Sequence, residues 1–280
     1  MTTTHISGAA AGCAACPVHN VANLLKLGVS MDSWNFAVAL AGNPNTGKST
    51  VFNALTGLHQ HTGNWPGKTV TRAEGGFEYN GHRYKLVDLP GTYSLLAASP
   101  DEEAARDFIL FGRPDVTLVV MDATRVERNL NLVLQVLEIT DRVVICLNLM
   151  DEARRHGLQV DDRTLARELG VPVVPASARY REGIDALLQA VSDVATGKCV
   201  CKPRRIQNEP PELKRALAEL TTRIASAFPG LPNARWVALR LLDGDEHIIQ
   251  ALRKGELGEL GGAARVEPAN TEAMRAEGVR

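Results

Sequence analysis

The sequence predicts an α/β fold, a mostly parallel sheet with one antiparallel hairpin strand, followed by a small all-helical subdomain. Three observations predict it. A glycine-rich loop, Gly42-Asn43-Pro44-Asn45-Thr46-Gly47-Lys48-Ser49, joins an apolar strand pattern to a helical one and fits the phosphate-loop spacing G-x-x-x-x-G-K-[ST]. After an early hairpin, strand and helix patterns alternate, which implies parallel strands joined by crossovers with both sheet faces covered. Past residue 211 two helical patterns follow with no strand between them.

The elements take shape in order. Residues 1–34 read as a flexible extension, of which 1–15 are small and polar and give no periodic signal. Residues 36–41 are uninterrupted apolar and read as a buried strand. Residues 50–56 form a helix that Gly57 closes. Residues 58–70 hold Gly63-Asn64-Trp65-Pro66-Gly67-Lys68-Thr69 and read as a loop. Residues 71–79 and 82–87 form a hairpin about Asn80-Gly81. Ser99-Pro100-Asp101-Glu102 looks like a capped helix start running to about Phe111. Strands follow at 116–121, 142–147 and 171–175, with helices at 126–139, 163–169 and 183–194. The first domain is therefore 35–197. Residues 198–211 are basic and proline-containing, a linker. Helices at 212–228 and 234–253 form the subdomain 212–255, and 256–280 is a polar tail.

Composition narrows the function. The chain of 280 residues has a formal net charge of −1, which argues against an electrostatically driven nucleic-acid binder. No apolar run approaches the roughly 20 residues that span a bilayer. The N-terminus lacks a secretory layout, so a soluble intracellular polypeptide is expected. Of five cysteines, Cys146 lies in an apolar strand and reads as a core residue. Cys13 and Cys16, with His19, have metal-ligand spacing, and Cys199 and Cys201 form a second pair. A metal or redox site is one reading of the first pair; incidental thiols on a tail is the other.

The chemistry follows from where the polar residues fall. Gly42 and Gly47 let successive N–H groups of Asn43, Asn45 and Thr46 turn inward, and the helix that starts there points its positive end at the same spot. Lys48 adds a full charge, the Ser49 hydroxyl suits magnesium, and Thr50 lies beside it. Asp88 ends a strand, suiting a magnesium-side carboxylate, and Gly91 can offer an N–H to a γ-phosphate. Asn148 and Asp151 follow a later strand. A carboxylate accepts both N1–H and the 2-amino group of guanine, whereas adenine leaves it poorly paired. Ser177-Ala178 can add a backbone N–H to the guanine carbonyl. Thr69 can close onto magnesium when the γ-phosphate is present. No one of these short motifs decides the matter; their order at successive strand ends indicates a GTPase.

That motif set resembles the Ras-like GTPases of the translation-factor-related class. More closely, it resembles the cytoplasmic N-terminal part of the FeoB family of bacterial ferrous-iron transporters. The residues carrying this are 42–49, Gly63-Asn64-Trp65-Pro66-Gly67, Asp88-Leu89-Pro90-Gly91-Thr92-Tyr93-Ser94-Leu95, Asp122-Ala123-Thr124 with Glu127-Arg128-Asn129-Leu130, and Asn148-Leu149-Met150-Asp151. The resemblance runs from about Asn35 to Arg253, with the helical pair similar to the family's nucleotide-dissociation-control subdomain. It implies a Ras-like P-loop fold, magnesium-dependent GTP hydrolysis and stimulation by potassium. In the family the potassium ligand maps to Asn45, with the carbonyls of Asn64 and Trp65 completing the shell. A cation there would stabilise transition-state charge as an arginine finger does. Turn formation is the other role open to Asn45. The catalytic set expected is thus Asn45, Lys48, Thr69 and Trp65.

Thr92 stands where many Ras-like proteins carry a water-orienting glutamine, so slow intrinsic turnover is expected. The attacking water would be held by backbone near Trp65 and Thr69. Asp101 and Glu102 read as capping acids, with water positioning as their other role, and Trp65 as an exposed loop residue would alternatively meet a partner domain. The resemblance implies a place at the cytoplasmic face of the bacterial inner membrane and a membrane-transport region, in the same or a partner chain, as partner; a homo-oligomer is open. Two other readings stand beside it. One is a stand-alone Ras-like GTPase in ribosome or tRNA processing, against which the near-neutral charge speaks. The other is a non-catalytic, nucleotide-gated interaction module.

Overall fold

The computed structural model describes residues 19, 21–57, 60–96, 99–205, 210–229, 231 and 233–253. The cysteine pair Cys13 and Cys16 and the tail from 256 lie outside them. The chain divides into two compact units, residues 1–209 and 210–280.

The first unit opens with a departure from expectation. Residues 21–34 are packed: helix α1 (Val21–Lys26) buries Leu24 and Asn23, and Val29 is fully buried. The Asn23 side chain donates to the Phe111 carbonyl at 3.0 Å. Six residues are too few to show a helical period, so no sequence pattern announces this contact.

Strand β1 (Phe36–Gly42) is buried at every position, as its apolar run requires. Helix α2 (Lys48–Thr56) ends at Gly57 in the left-handed region, φ 65°. Strand β2 (Gln60–Asn64) falls where the sequence predicts a loop, pairing antiparallel with β3 (Thr71–Tyr79) in the register Asn64 to Thr71. Its polar sequence has no strand period; the ladder offered by β3 overrides that weak propensity. Asn80 and Gly81, at φ 48° and 75°, make the expected tight turn into β4 (His82–Asp88). Helix α3 (Pro100–Asp107) starts at the expected cap, with Ser99 Oγ accepting from the Glu102 N–H at 3.3 Å. Residues 108–112 continue it as one wider helical turn, fully buried.

Strand β5 (Val116–Asp122), helix α4 (Val126–Ile139) and strand β6 (Val143–Asn148) match the pattern. Helix α5 (Met150–Arg155) departs from it, because its charged sequence has no apolar stripe. Helix α6 (Asp162–Leu169), strand β7 (Val173–Pro175) and helix α7 (Ile184–Ala195) complete the unit. The sheet order is β2-β3-β4-β1-β5-β6-β7, with β1 parallel to both β4 and β5. The winding reverses at β1, so the ends of β1, β4, β5 and β6 meet at one edge, where open α/β sheets bind ligands.

The expected linker is only partly free. Lys202 N–H donates to Gly170 O at 2.9 Å, and Arg205 Nε to Leu137 O at 2.9 Å. Cys199 and Cys201 pack against the core. Burial pushes the Cys146 thiol up to about 12 and the Cys201 thiol up to about 11. Cys201, raised from the ordinary 9.0, should therefore alkylate roughly a hundredfold more slowly than a free thiol at about pH 8, measured by iodoacetamide labelling and peptide mass spectrometry. Labelling at the free-thiol rate would show that this segment opens.

The second unit contains α8 (Pro211–Ala227), α9 (Ala234–Leu242) and α10 (Glu246–Arg253). The single helix expected over 234–253 is broken at Gly244, φ 76°. Asp245 Oδ1 then accepts from His247 N–H at 3.1 Å and Ile248 N–H at 3.2 Å, capping a new helix.

Candidate nucleotide site

The phosphate loop leaves β1 at Gly42, where a Cβ would lie 2.8 Å from the Val120 carbonyl. Only glycine fits that approach. Asn45 and Gly47 are both left-handed, φ 66° and 79°, which turns the intervening amides toward one side. Helix α2 begins with no side-chain cap and no acidic residue in its first turn. Its positive end is thus open to an anion.

Lys48 Nζ donates to Asp88 Oδ1 at 2.5 Å and to the Leu89 carbonyl at 2.7 Å. Burial raises the Asp88 pKa above its ordinary 3.8, and the Lys48 charge and hydrogen bond oppose that rise. Ser49 and Thr50 are exposed at the helix start. Gly91 lies against Pro44, so its backbone reaches the loop.

Asn148, expected near the base, is engaged on both sides of its amide. It is 1% exposed. Its Nδ2 donates to the Thr46 carbonyl at 3.0 Å, and its Oδ1 accepts from the Ala178 N–H at 3.0 Å. It braces the phosphate loop against the loop after β7. The Ala178 N–H is engaged in that brace. Ser177 is buried, its Oγ accepting from Arg154 Nη2 at 3.2 Å. Asp151 stands in the first turn of α5, its carboxylate 3.3 Å from Arg155 Nη2.

The loop carrying Trp65 corrects one expectation, that this residue is exposed. Trp65 is 3% exposed, edge-on to Phe108 at 5.5 Å and beneath the Arg72 guanidinium at 5.2 Å. It is a core residue in this conformation, because a tight turn folds it back: its N–H donates to Val70 O and its carbonyl accepts from Lys68 N–H. That carbonyl holds the turn, while Asn64, opposite Thr71, is a non-hydrogen-bonded position of the β2–β3 ladder. Asn45 and Asn64 are both exposed, whereas Trp65 is buried. Lys68 joins the turn to α3, with Nζ 2.9 Å from Glu103 and 3.7 Å from Asp107. Thr69 is exposed and opens onto a shallow pocket with Pro90 and Asp101.

The segment after Gly91 is held in part by two residues that the motifs do not single out, Gln135 and Asn131. Gln135 Oε1 accepts from the Leu95 N–H at 2.6 Å, and Asn131 Nδ2 donates to Tyr93 O at 3.4 Å. The Arg128 guanidinium stacks on Tyr93 at 4.6 Å. Arg128, Asn131 and Gln135 lie on one face of α4, at spacings of three and four; the Glu-Arg-Asn-Leu run contains the first of them but not the other two. Glu102 Oε1 accepts from the Thr92 hydroxyl at 3.3 Å, so its carboxylate reaches the same segment. Asp122 Oδ1 accepts from Thr124 N–H and Oγ1 at 2.8 and 2.7 Å, fixing the β5–α4 turn. Between that turn and the phosphate loop lies a cleft of about 350 Å³ lined by Asn43, Asn45, Asp122 and Thr124.

A family model described as ferrous iron transport protein B matches residues 36–191, and one described as the FeoB cytosolic helical domain matches 210–276. The Fe(2+) transporter FeoB of Salmonella choleraesuis is 40% identical over 212 residues, 74% of this chain and 27% of that protein. The chain thus spans about a quarter of the length of the curated relatives it matches. The structure of the cytosolic domain of L. pneumophila FeoB is 36% identical, with a TM-score of 0.70 over 80% of this chain and 88% of that one. The cytosolic domain of T. maritima FeoB in its GMPPNP form is 35% identical, with a TM-score of 0.69 over 86% and 90%.

Proposed function

From the premise that the chain belongs to the ferrous iron transport protein B family, we propose that it binds guanine nucleotide and hydrolyses GTP to GDP and phosphate at the phosphate-loop edge of the sheet. One observation carries this. The Lys48 ammonium and an uncapped helix start face the strand-end carboxylate of Asp88, while Asn148 ties the same loop to residues 177–178. Solved relatives described as bound to GDP and in a GMPPNP form support the nucleotide.

Lys48, with the amides of residues 43–48, takes the charge of the β- and γ-phosphates. The oxygen of a water attacks the γ-phosphorus, the bond to the β-phosphate oxygen breaks, and GDP leaves with the electron pair. Asp151 accepts from the guanine N1–H and amino group. Asn148 works mainly by positioning the phosphate loop. Ser49, Thr69 and Asp88 would hold magnesium, which supplies charge neutralisation at the phosphates when bound. Asn45 would contribute to a potassium site. Among the described residues no helix is long and apolar enough to cross a membrane. Transport would therefore need a membrane region from elsewhere in the chain or from a partner, with this part at the cytoplasmic face and its loops near 65 and 93 reporting nucleotide state.

The test is GTP turnover by the full chain in potassium and in sodium, with Asn45→Ala beside the wild type. Potassium should raise wild-type kcat by about tenfold, and Asn45→Ala should lose that stimulation. Equal rates in both salts would remove the potassium role. Absence of turnover in either would remove the GTPase.

A further inference from the structure

The segment before the family-matched span touches the Trp65 loop, and it does so through a buried charge. Arg72 is 8% exposed. A guanidinium that deep must have its N–H groups accepted. Its Nη1 donates to the Leu27 carbonyl at 2.7 Å and its Nη2 to the Gly28 carbonyl at 2.6 Å. Its Nε lies 2.8 Å from Glu74 Oε1, an ion pair without hydrogen-bond alignment. The guanidinium thus bridges the N-terminal segment to the face of Trp65. Lys85 adds a second tie, donating to the Ser30 carbonyl at 2.8 Å while paired with Glu74 at 2.5 Å.

Gly28 is the closest point of this arrangement. Its φ is +80°, and a Cβ there would lie 2.7 Å from Arg72 Nη1 and 3.1 Å from Pro66 Cγ. Glycine is needed twice over, for the backbone and for the approach. The loop so held has Trp65 buried with its N–H and carbonyl both committed within the turn. Those backbone groups are engaged with Val70 and Lys68 while the indole packs on Phe108 and Arg72.

We propose that residues 21–34 act as an autoinhibitory strap. Through Arg72 and Gly28 they hold the Trp65 loop in its turned-back conformation and lower the fraction of molecules in which that loop can close on nucleotide. The inhibitory sign rests on the GTPase reading; the clamp itself does not. A stack of this kind, when broken, releases the loop by about threefold to tenfold in population, and an apparent rate limited by the competent fraction rises by the same factor.

The test compares full-length wild type with Gly28→Ala and with a matched control, Gly157→Ala. Gly157 has φ +68° and nothing within 4 Å of where an added Cβ would lie, so its substitution carries the backbone strain without the contact. Amide hydrogen exchange over residues 60–70 is followed without nucleotide, and GTP turnover in parallel. Gly28→Ala should speed exchange there by about threefold or more and raise kcat, while Gly157→Ala changes neither. Unchanged exchange in Gly28→Ala overturns the clamp, whatever the turnover. Faster exchange with a lower kcat overturns its inhibitory sign. Faster exchange with no hydrolysis by any form upholds the clamp and instead defeats the GTPase reading.

Discussion

Replacing Lys48 with alanine is expected to lower kcat/KM for GTP by roughly a hundredfold to a thousandfold, measured by phosphate release at saturating magnesium. The reason is local charge. The ammonium places a full positive charge at the start of α2, beside the exposed Ser49, and it also neutralises Asp88 at 2.5 Å. Without it, burial acts on Asp88 unopposed and its pKa rises further. Two consequences share a direction. The acid limb of the residual pH–rate profile moves to higher pH, because Asp88 must be ionised to hold a cation. Stability falls more steeply as pH rises from 3.8 through the folded pKa, because the fold then binds the proton more tightly than the unfolded chain does. A loss of less than about tenfold would mean that the backbone amides alone grip the phosphates.

Replacing Asn148 with alanine is expected to cost about 2–4 kcal/mol of stability in the first unit, because it strands the Thr46 carbonyl and the Ala178 N–H in a site 1% exposed. The packing there is tight. Gly47 abuts the amide so closely that a Cβ on it would be 2.4 Å from Asn148 Nδ2. The lost brace frees the phosphate loop, so GDP affinity should fall by roughly tenfold to a hundredfold as well. Urea unfolding followed by circular dichroism, with calorimetric titration of GDP, reads both. A stability change under about 1 kcal/mol would mean that water replaces both bonds, and the brace would then be incidental.

Much of this architecture is legible in the chain itself. The apolar runs at 36–42, 116–122 and 143–148 are buried throughout, so hydropathy alone locates them. The Asn80-Gly81 turn and the Ser99 cap follow from backbone chemistry that depends on neighbours in sequence only. The misses have a common cause. Strand β2 exists because β3 offers it a ladder, and α1 because residues 108–112 present a buried surface to it. Trp65 reads as exposed because a Gly- and Pro-flanked tryptophan has no local period, while its burial depends on Phe108 and Arg72. In the same way, the Gln135 and Asn131 contacts to residues 93–95 join groups about forty positions apart.

The order of residues along the chain set which chemistry is available: an ammonium and a hydroxyl after a glycine turn, carboxylates at strand ends, and a sheet that gathers them at one edge. Those features depend on short spacings and on alternating polarity, which a one-dimensional string carries in full. What each group is engaged with was decided by folding. Lys48 is held against Asp88, Asn148 joins two loops, and Arg72 turns toward Leu27 and Gly28. A buried donor or charge takes whichever acceptor the packed chain brings within reach, and that distance in space is independent of separation along the backbone.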